Sequence, residues 1–197
     1  SISLVGFDRP FIPKQVDIPI YMGSVGPLMT KKCGEIANGW ISHELCSPQY
    51  LKSNIIPKLE EGSVDDNIPE IVVSGLTVVD QDENRAKRIA AGTVAFYASV
   101  KTYDEFFSNH GFGTEAKKIR EQFKSGDIKG MIESVPNEMV DVFAIAGNRD
   151  FVSNSIKRYS GIVDEIKLTP PTHYVTNEET RYAQKSILSL VEEGEIY

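Results

Sequence analysis

The segment from Glu70 to Val79 limits the possible folds more than any other part of the sequence, because nearly all of its residues are apolar or β-branched. A strand with one face in water alternates polar and apolar residues. A nearly continuous apolar run is typical instead of a parallel strand that is covered on both faces. No apolar run in the chain approaches the roughly 18 residues that span a bilayer. We therefore predict a buried strand of an α/β protein and no membrane-spanning helix.

Strand-like and helix-like segments alternate along the whole chain. Strands are predicted at Ile18–Gly23, Trp40–Leu45, Glu70–Val79 and Val163–Leu168. Helices are predicted at Pro27–Ala37, from Ser47 onward with a kink at Pro57, from Asp80 to about Asn109, as shorter pieces between Thr114 and Gly147, at Asp150–Tyr159 and from Thr176 onward. This alternation favours a parallel sheet with right-handed crossovers. Two architectures fit about four strands: a small doubly wound sheet, or four consecutive units of a (β/α)8 barrel.

The charge balance and the cysteines narrow the class of protein. The formal net charge is -7, with no cluster of Lys and Arg, so neither nucleic acid nor an anionic membrane is an expected partner. Cys33 and Cys46 fit neither a disulfide framework nor a zinc site, and no metal motif is present. The N-terminal residues lack the features of a signal peptide. We therefore expect a cytoplasmic protein with two reduced, buried thiols and no metal.

The residues between the first predicted strand and helix are small: Gly23, Ser24, Val25 and Gly26, followed by Pro27. Small residues let a ligand approach the backbone, and the free N–H groups at a helix start bind anions. The segment therefore indicates a phosphate site, to which Ser24 or Thr30 could add a hydroxyl donor. The alternative is that the two glycines only form a tight strand-to-helix turn.

The surrounding sequence resembles a known family. Residues 19–27 read PIYMGSVGP and the next helix ends GEIANG at residues 34–39. Together they are similar to the P-[IV]-Y-x-[GA]-[AS]-x-G-P turn and the A-G-E-x-[AG]-[DN]-G helix end of the luciferase-like flavin- or deazaflavin-dependent oxidoreductases. Residues 147–150 and 161–166 resemble the closing turn, helix and strand of that family. The match follows the family order along nearly the whole chain, and the deazaflavin-dependent dehydrogenases and methylenetetrahydromethanopterin reductases are closest in pattern.

The resemblance implies a fold and a chemistry. Residues 1–197 would form one domain, the second half of a TIM-type (β/α)8 barrel, with Ile18–Gly23 as the fifth strand and Val163–Leu168 as the eighth. Gly23, Ser24, Val25 and Gly26 would hold the phosphate and ribityl tail of FMN or of the deazaflavin coenzyme F(420). The reaction would be hydride transfer to or from a small-molecule substrate, or oxygenation.

Residues near the other strand ends are weaker candidates. His43 and Glu44 follow the sixth strand of that barrel and could contact cofactor or substrate, where His43 could titrate near neutral pH. His110 and His173 lie beside Gly and Pro, and we expect both on the surface. No catalytic residue can be assigned, because in the family the first four strands supply the catalytic acid.

Two functional alternatives follow. The chain is an oxidoreductase or its C-terminal part, or it is a non-catalytic cofactor-binding or assembly module. A half-barrel has unpaired strand edges, which invite pairing with another chain. We therefore expect a homo-oligomer or a complex with a missing N-terminal half.

Overall fold

The computed structural model describes residues 18–65, 67–192 and 194, so the N-terminal residues behind the signal-peptide expectation lie outside the described part. Its sheet contains β1 (Tyr21–Gly23), β2 (Gly39–Ile41), β3 (Glu70–Val79), β4 (Ile145–Gly147) and β5 (Glu165–Thr169). β2 pairs with β1 and β3, while β4 and β5 pair with β3, and all of these pairings are parallel. The predicted α/β class with a parallel sheet is confirmed.

Helices connect the strands. They are α1 (Pro27–Ile36), α2 (Pro48–Tyr50), a π-helical turn (Leu51–Ile55), α3 (Ile56–Gly62), α4 (Glu83–Ser99), a 3-10 turn (Lys101–Tyr103), α5 (Asp104–Asn109), α6 (Gly113–Ser125), α7 (Ile128–Glu133), α8 (Asn137–Phe143), α9 (Arg149–Lys157) and α10 (Asn177–Glu192). Within the described ranges, no helix is both long enough and apolar enough to cross a membrane.

β3 organises the sheet, as its sequence predicts. Every residue after Glu70 is buried along its length. Its first residues pair with β2, the segment Val72–Leu76 pairs with β5, and the segment Thr77–Val79 pairs with β4. One long apolar strand therefore contacts three shorter ones, and its burial supplies the centre of the core.

β4 was not predicted, because the sequence before Gly147 suggested short helices. Three residues are too few to show a strand period. The pairing with the end of β3 defines this strand, and the Asp80 N–H extends it by donating to the Gly147 carbonyl at 2.9 Å. The count of about four strands was therefore one too low.

The single helix expected from Asp80 to Asn109 is interrupted. α4 ends at Ser99, and Val100 adopts an extended conformation with φ -95° and ψ 120°. A 3-10 turn and α5 follow. At Pro57 the expected kink takes the form of the π-helical turn just before α3, so the chain remains helical from Pro48 to Gly62.

The core lies between the sheet and its helices. Its largest fully buried side chains include Trp40, Leu45, Leu51, Leu76 and Phe107. Cys33 and Cys46 are buried and free, as the sequence predicts. α1 and α3 pack so closely that a Cβ atom added at Gly34 would overlap the Leu59 carbonyl.

Candidate functional site

The turn between β1 and α1 joins the carboxyl end of a strand to the amino end of a ten-residue helix. Gly26 is the N-cap, with φ -81° and ψ 152°, and Pro27 is the first helical residue. The Gly26 carbonyl accepts the Thr30 N–H at 2.9 Å. α1 has neither a side-chain cap nor an acidic residue in its first turn. Its first N–H groups are therefore available to an anionic ligand or to solvent.

Ser24 anchors this turn to the neighbouring strand. The fully buried Trp40 donates its indole N–H to both the carbonyl and the hydroxyl oxygen of Ser24, each at 3.0 Å. The Ser24 hydroxyl donates to Thr30 Oγ1 at 3.3 Å, and the Thr30 hydroxyl donates to the Gly26 carbonyl at 3.0 Å. Each hydroxyl has one proton, and both protons are used inside the turn. The expected hydroxyl donor to a ligand is therefore not present in this arrangement, and backbone N–H groups remain the donors.

An open cleft of about 230 Å³ lies in front of the turn. Val25, Gly26, Pro27 and Thr30 line one side, and residues of the segments 50–58 and 102–109 line the rest. A Cβ atom at Gly26 would meet no atom within 4 Å. Of the four predicted cofactor residues, the structure brings Val25 and Gly26 to this cleft, while Gly23 and Ser24 lie outside its lining.

His43 lies in an aromatic cluster behind the strand end. Its ring centroid is 5.5 Å from Tyr97, 5.2 Å from Tyr103 and 5.1 Å from Phe106. Its Nδ1 atom accepts the Leu45 N–H at 3.2 Å. Burial, with a smaller contribution from nearby His110, lowers the pKa of His43 to about 4. His43 therefore does not titrate near neutral pH, in contrast to the expectation from sequence.

Glu44 is half-buried at the same end of the sheet. Its backbone carbonyl accepts the Leu76 N–H at 3.1 Å, which fixes the segment against β3. Its carboxylate accepts the Tyr97 hydroxyl at a long 3.5 Å. Burial raises the pKa of Glu44, while His173, the Tyr97 hydrogen bond and Lys167 act in the opposite direction. A carboxyl group in such surroundings can exchange a proton closer to neutral pH than an exposed one.

Three side chains at this end of the sheet were missed or misplaced by sequence reasoning. Tyr97, which is not among the predicted site residues, donates its hydroxyl to Glu44. His173, expected on the surface, stacks on Phe96 with a centroid distance of 3.8 Å. His110 is half-buried, with its Nε2 2.8 Å from the Ser47 hydroxyl. These contacts join segments that are distant in sequence, so no local motif could have indicated them.

Comparison with known proteins identifies the family. Residues 2–165 match the family described as luciferase-like monooxygenase. The match covers most of the chain, and its position agrees with the motifs quoted above. The chain belongs to the luciferase-like monooxygenase family.

Two relatives show how far the likeness extends. The 5,10-methylenetetrahydromethanopterin reductase of Methanopyrus kandleri is 35% identical over 146 residues, covering 72% of this chain and 41% of that protein. The protein of the same name from Archaeoglobus fulgidus is 28% identical over 154 residues, covering 75% and 46%. The chain thus spans about half the length of the curated relatives it matches.

Solved structures agree with the sequence relatives. The coenzyme F(420)-dependent tetrahydromethanopterin reductase from Methanopyrus kandleri matches with a TM-score of 0.70 at 28% identity, covering 88% of this chain and 51% of that one. An F(420)-dependent secondary alcohol dehydrogenase in complex with an F(420)–acetone adduct matches with a TM-score of 0.53 at 16% identity, covering 89% and 49%. The second likeness shows the fold alone.

Proposed function

We propose that this chain is the coenzyme-phosphate-binding part of an oxidoreductase that uses the deazaflavin coenzyme F(420) or FMN. The observation that carries the proposal is the open turn at Gly26, where an uncapped helix end meets a cleft. The names of the relatives support it, because they describe methylenetetrahydromethanopterin reductases and a coenzyme F(420)-dependent tetrahydromethanopterin reductase. When bound, such a coenzyme supplies the hydride chemistry.

The turn suits a phosphate group for three physical reasons. Gly26 has no side chain, so a phosphate oxygen can approach the backbone, and the space in front of it is open. Val25 and the first residues of α1 offer N–H donors, and the helix dipole favours an anion by roughly 0.3–1 kcal/mol. Trp40 and Ser24 hold the turn in place from behind, so little ordering is needed on binding. In this proposal, Gly23 and Ser24 shape the turn, while Val25 and Gly26 contact the ligand.

We propose that Glu44 contacts the substrate and that His43 contributes to the substrate site indirectly. Both follow β2 at its carboxyl end, where active sites of (β/α)8 barrels lie. Glu44 is half-buried beside Tyr97 and could hold a hydrogen bond or a proton for a small-molecule substrate. His43 is half-buried among aromatic rings, and its contribution would be to support the Glu44 segment.

We further propose that β1, β2, β3 and β5 are strands five to eight of a (β/α)8 barrel, and that β4 is an additional short strand. Matches to about half of each relative support this arrangement. The other half would then complete the coenzyme site and supply the catalytic acid. That half would come from the N-terminal part of the enzyme or from an associated chain.

Replacement of Gly26 by valine tests the proposal. The backbone at Gly26 is accessible to any residue, so Gly26→Val should change the free energy of unfolding by at most about 1 kcal/mol. Its branched side chain would occupy the ligand space and should weaken F(420) or FMN binding at least tenfold, measured by fluorescence titration. Val64→Ala, at an exposed position outside the cleft lining, is the control.

Turnover separates the enzyme from the alternative of a non-catalytic module. The chain would be titrated with a family N-terminal half and assayed for coenzyme reduction. Coenzyme reduction that is lost in Gly26→Val supports the enzyme. Coenzyme binding that is equally strong in Gly26→Val and in the parent chain contradicts the proposed site.

A further inference from the structure

The Tyr97 hydroxyl connects α4 to the segment that follows β2. It donates to Glu44 Oε2 at 3.5 Å, across 53 positions of the chain. Hydrogen bonds at active sites are often long before a substrate binds and shorten in the complex. Among the described residues, no protein group hydrogen-bonds to Glu44 Oε1, and this oxygen is not buried. The protein therefore holds one oxygen of the carboxylate and leaves the other accessible to a ligand.

The ring of Tyr97 is fixed by its neighbours. Its centroid is 5.5 Å from the His43 ring, 5.4 Å from the Phe96 ring and 5.1 Å from the Tyr103 ring. The last two pairs meet at 82°, the edge-to-face arrangement that aromatic rings prefer. The three neighbours belong to the segment after β2, to α4 and to the 3-10 turn. The Tyr97 hydroxyl therefore cannot turn away from Glu44 without breaking several ring contacts.

The backbone of Glu44 is fixed independently of Tyr97. The Glu44 carbonyl accepts the Leu76 N–H at 3.1 Å, and Leu76 pairs with Thr169, the last residue of β5. Glu44 therefore lies near the carboxyl ends of β2 and β5, on the side of the sheet where ligands of (β/α)8 barrels bind. With backbone and carboxylate both held, little ordering is needed when a ligand binds.

Tyr97 remains a hydrogen-bond donor at neutral pH. Burial, and then the charge of Glu44, raise the pKa of Tyr97 to about 12, so the hydroxyl keeps its proton. A protonated phenol donates to a carboxylate and stabilises its ionised form.

Several other titratable side chains surround the Glu44 carboxylate. Lys167 is on β5, His173 is in the segment after β5, and the neighbouring His43 is neutral because its pKa is lowered to about 4. Burial raises the pKa of Glu44, while His173, the Tyr97 hydrogen bond and Lys167 lower it. Within the described ranges, neither His173 nor Lys167 forms an ion pair with Glu44, so the Tyr97 hydroxyl is the direct contact.

We propose that Tyr97 is a positioning residue of the substrate site, which holds Glu44 Oε2 and leaves Oε1 facing the substrate as an acceptor for an N–H or O–H group. The hydroxyl of Tyr97, rather than its ring, makes this contribution. The inference rests on the proposed function, because Glu44 must contact the substrate for the position of its carboxylate to matter.

A pH titration of the Glu44 carboxyl group by 13C NMR tests this contact in the chain alone, without coenzyme or substrate. Tyr97→Phe keeps the ring and removes the hydroxyl, so the midpoint of the Glu44 titration should rise above that of the parent. Tyr103→Phe, which removes a neighbouring hydroxyl that bonds to no described residue, is the matched control and should leave the midpoint unchanged. Glu44→Ala identifies the signal. Equal midpoints in Tyr97→Phe and the parent, or equal rises in both tyrosine variants, would overturn the inference.

Steady-state kinetics with a family N-terminal half extend the test to the substrate. Tyr97→Phe should lower kcat/KM about tenfold, as expected for the loss of a hydrogen bond to a charged group. In a Glu44→Ala background the same substitution should have no further effect, because the carboxylate that Tyr97 positions is gone. A tenfold loss that persists in that background would overturn the inference.

Two combinations of results separate the inference from the proposed function. A large loss of kcat/KM in Glu44→Ala, together with an unchanged midpoint in Tyr97→Phe, would overturn the inference and leave the proposed substrate contact intact. A raised midpoint in Tyr97→Phe, together with parental kcat/KM in Glu44→Ala, would support the contact between Tyr97 and the carboxylate and contradict the proposed substrate contact.

Discussion

Trp40 is a buried side chain that holds the proposed coenzyme turn in place from behind. Its indole N–H joins the backbone of Ser24 to β2, and Ser24 in turn contacts Thr30. The sequence places Trp40 at the start of the predicted strand Trp40–Leu45, but nothing in it pairs Trp40 with Ser24. The position of the strand-to-helix turn could be predicted from local small residues, whereas its support from a neighbouring strand could not.

Trp40→Phe should therefore weaken both the fold and the turn. Loss of the hydrogen bonds and of part of the buried ring should lower the free energy of unfolding by about 2–3 kcal/mol. Coenzyme affinity at 25 °C, where the variant remains folded, should also fall severalfold because the turn is less fixed. Urea unfolding and fluorescence titration measure the two effects. A destabilised variant with parental affinity would contradict the supporting contribution of Trp40.

The lowered pKa of His43 predicts that the free energy of unfolding depends on pH. Its pKa is lowered from 6.5 to about 4 in the folded chain, so the unfolded chain binds more protons between these values. The stabilisation is present above pH 6.5 and is lost as the pH falls toward 4, by about 3 kcal/mol in total.

The raised pKa of Glu44 acts with the opposite sign, so the comparison of variants isolates His43. Between pH 7 and pH 4.5, the urea midpoint of His43→Phe should fall less than that of the parent. Parallel pH profiles for His43→Phe and the parent would show that His43 does not titrate as described.

At the scale of elements, the long strand could be predicted and the short one could not. β3 can be recognised from its own run of apolar residues, whereas β4 is defined by its pairing with the end of β3. The break after α4 lies at Val100. The extended backbone of this residue divides a segment that the sequence pattern predicted as one helix. Long periodic segments are therefore predictable, and features fixed by partners distant in sequence are not.

The contact between α1 and α3 leaves no room for a side chain at Gly34. A Cβ atom at Gly34 would overlap the Leu59 carbonyl, so Gly34→Ala must separate the helices. We expect a loss of about 2–3 kcal/mol in the free energy of unfolding. Gly26→Ala, where the added atom meets nothing within 4 Å, is the matched control and should cost less than about 1 kcal/mol. Equal costs would contradict the packing described here.

At the scale of the whole molecule, several large apolar side chains in and near β1 and α1 are exposed among the described residues. Ile20 is 63% exposed, Leu28 82% and Ile36 59%, and within the described residues β1 pairs only with β2. Exposed apolar side chains beside an unpaired strand edge are suited to an interface with another chain. This observation supports the predicted homo-oligomer or complex with an N-terminal half.

We predict that the chain self-associates at micromolar concentration in sedimentation velocity experiments. Combined Ile20→Lys and Ile36→Lys should shift it to a monomer, because charged side chains cannot be buried unpaired at an interface. Val191→Lys, at an exposed position of α10, is the control and should leave association unchanged. A compact parental monomer throughout the concentration range would contradict the prediction.

The central claim is that the turn from Gly23 to Pro27 binds the coenzyme phosphate, and an amide NMR titration with F(420) tests it most directly. The account predicts that the amide signals of Val25, Gly26 and Leu28 shift together and saturate at one affinity. Inorganic phosphate should shift the same signals more weakly. Saturable binding with unchanged signals at these three amides would contradict the claim.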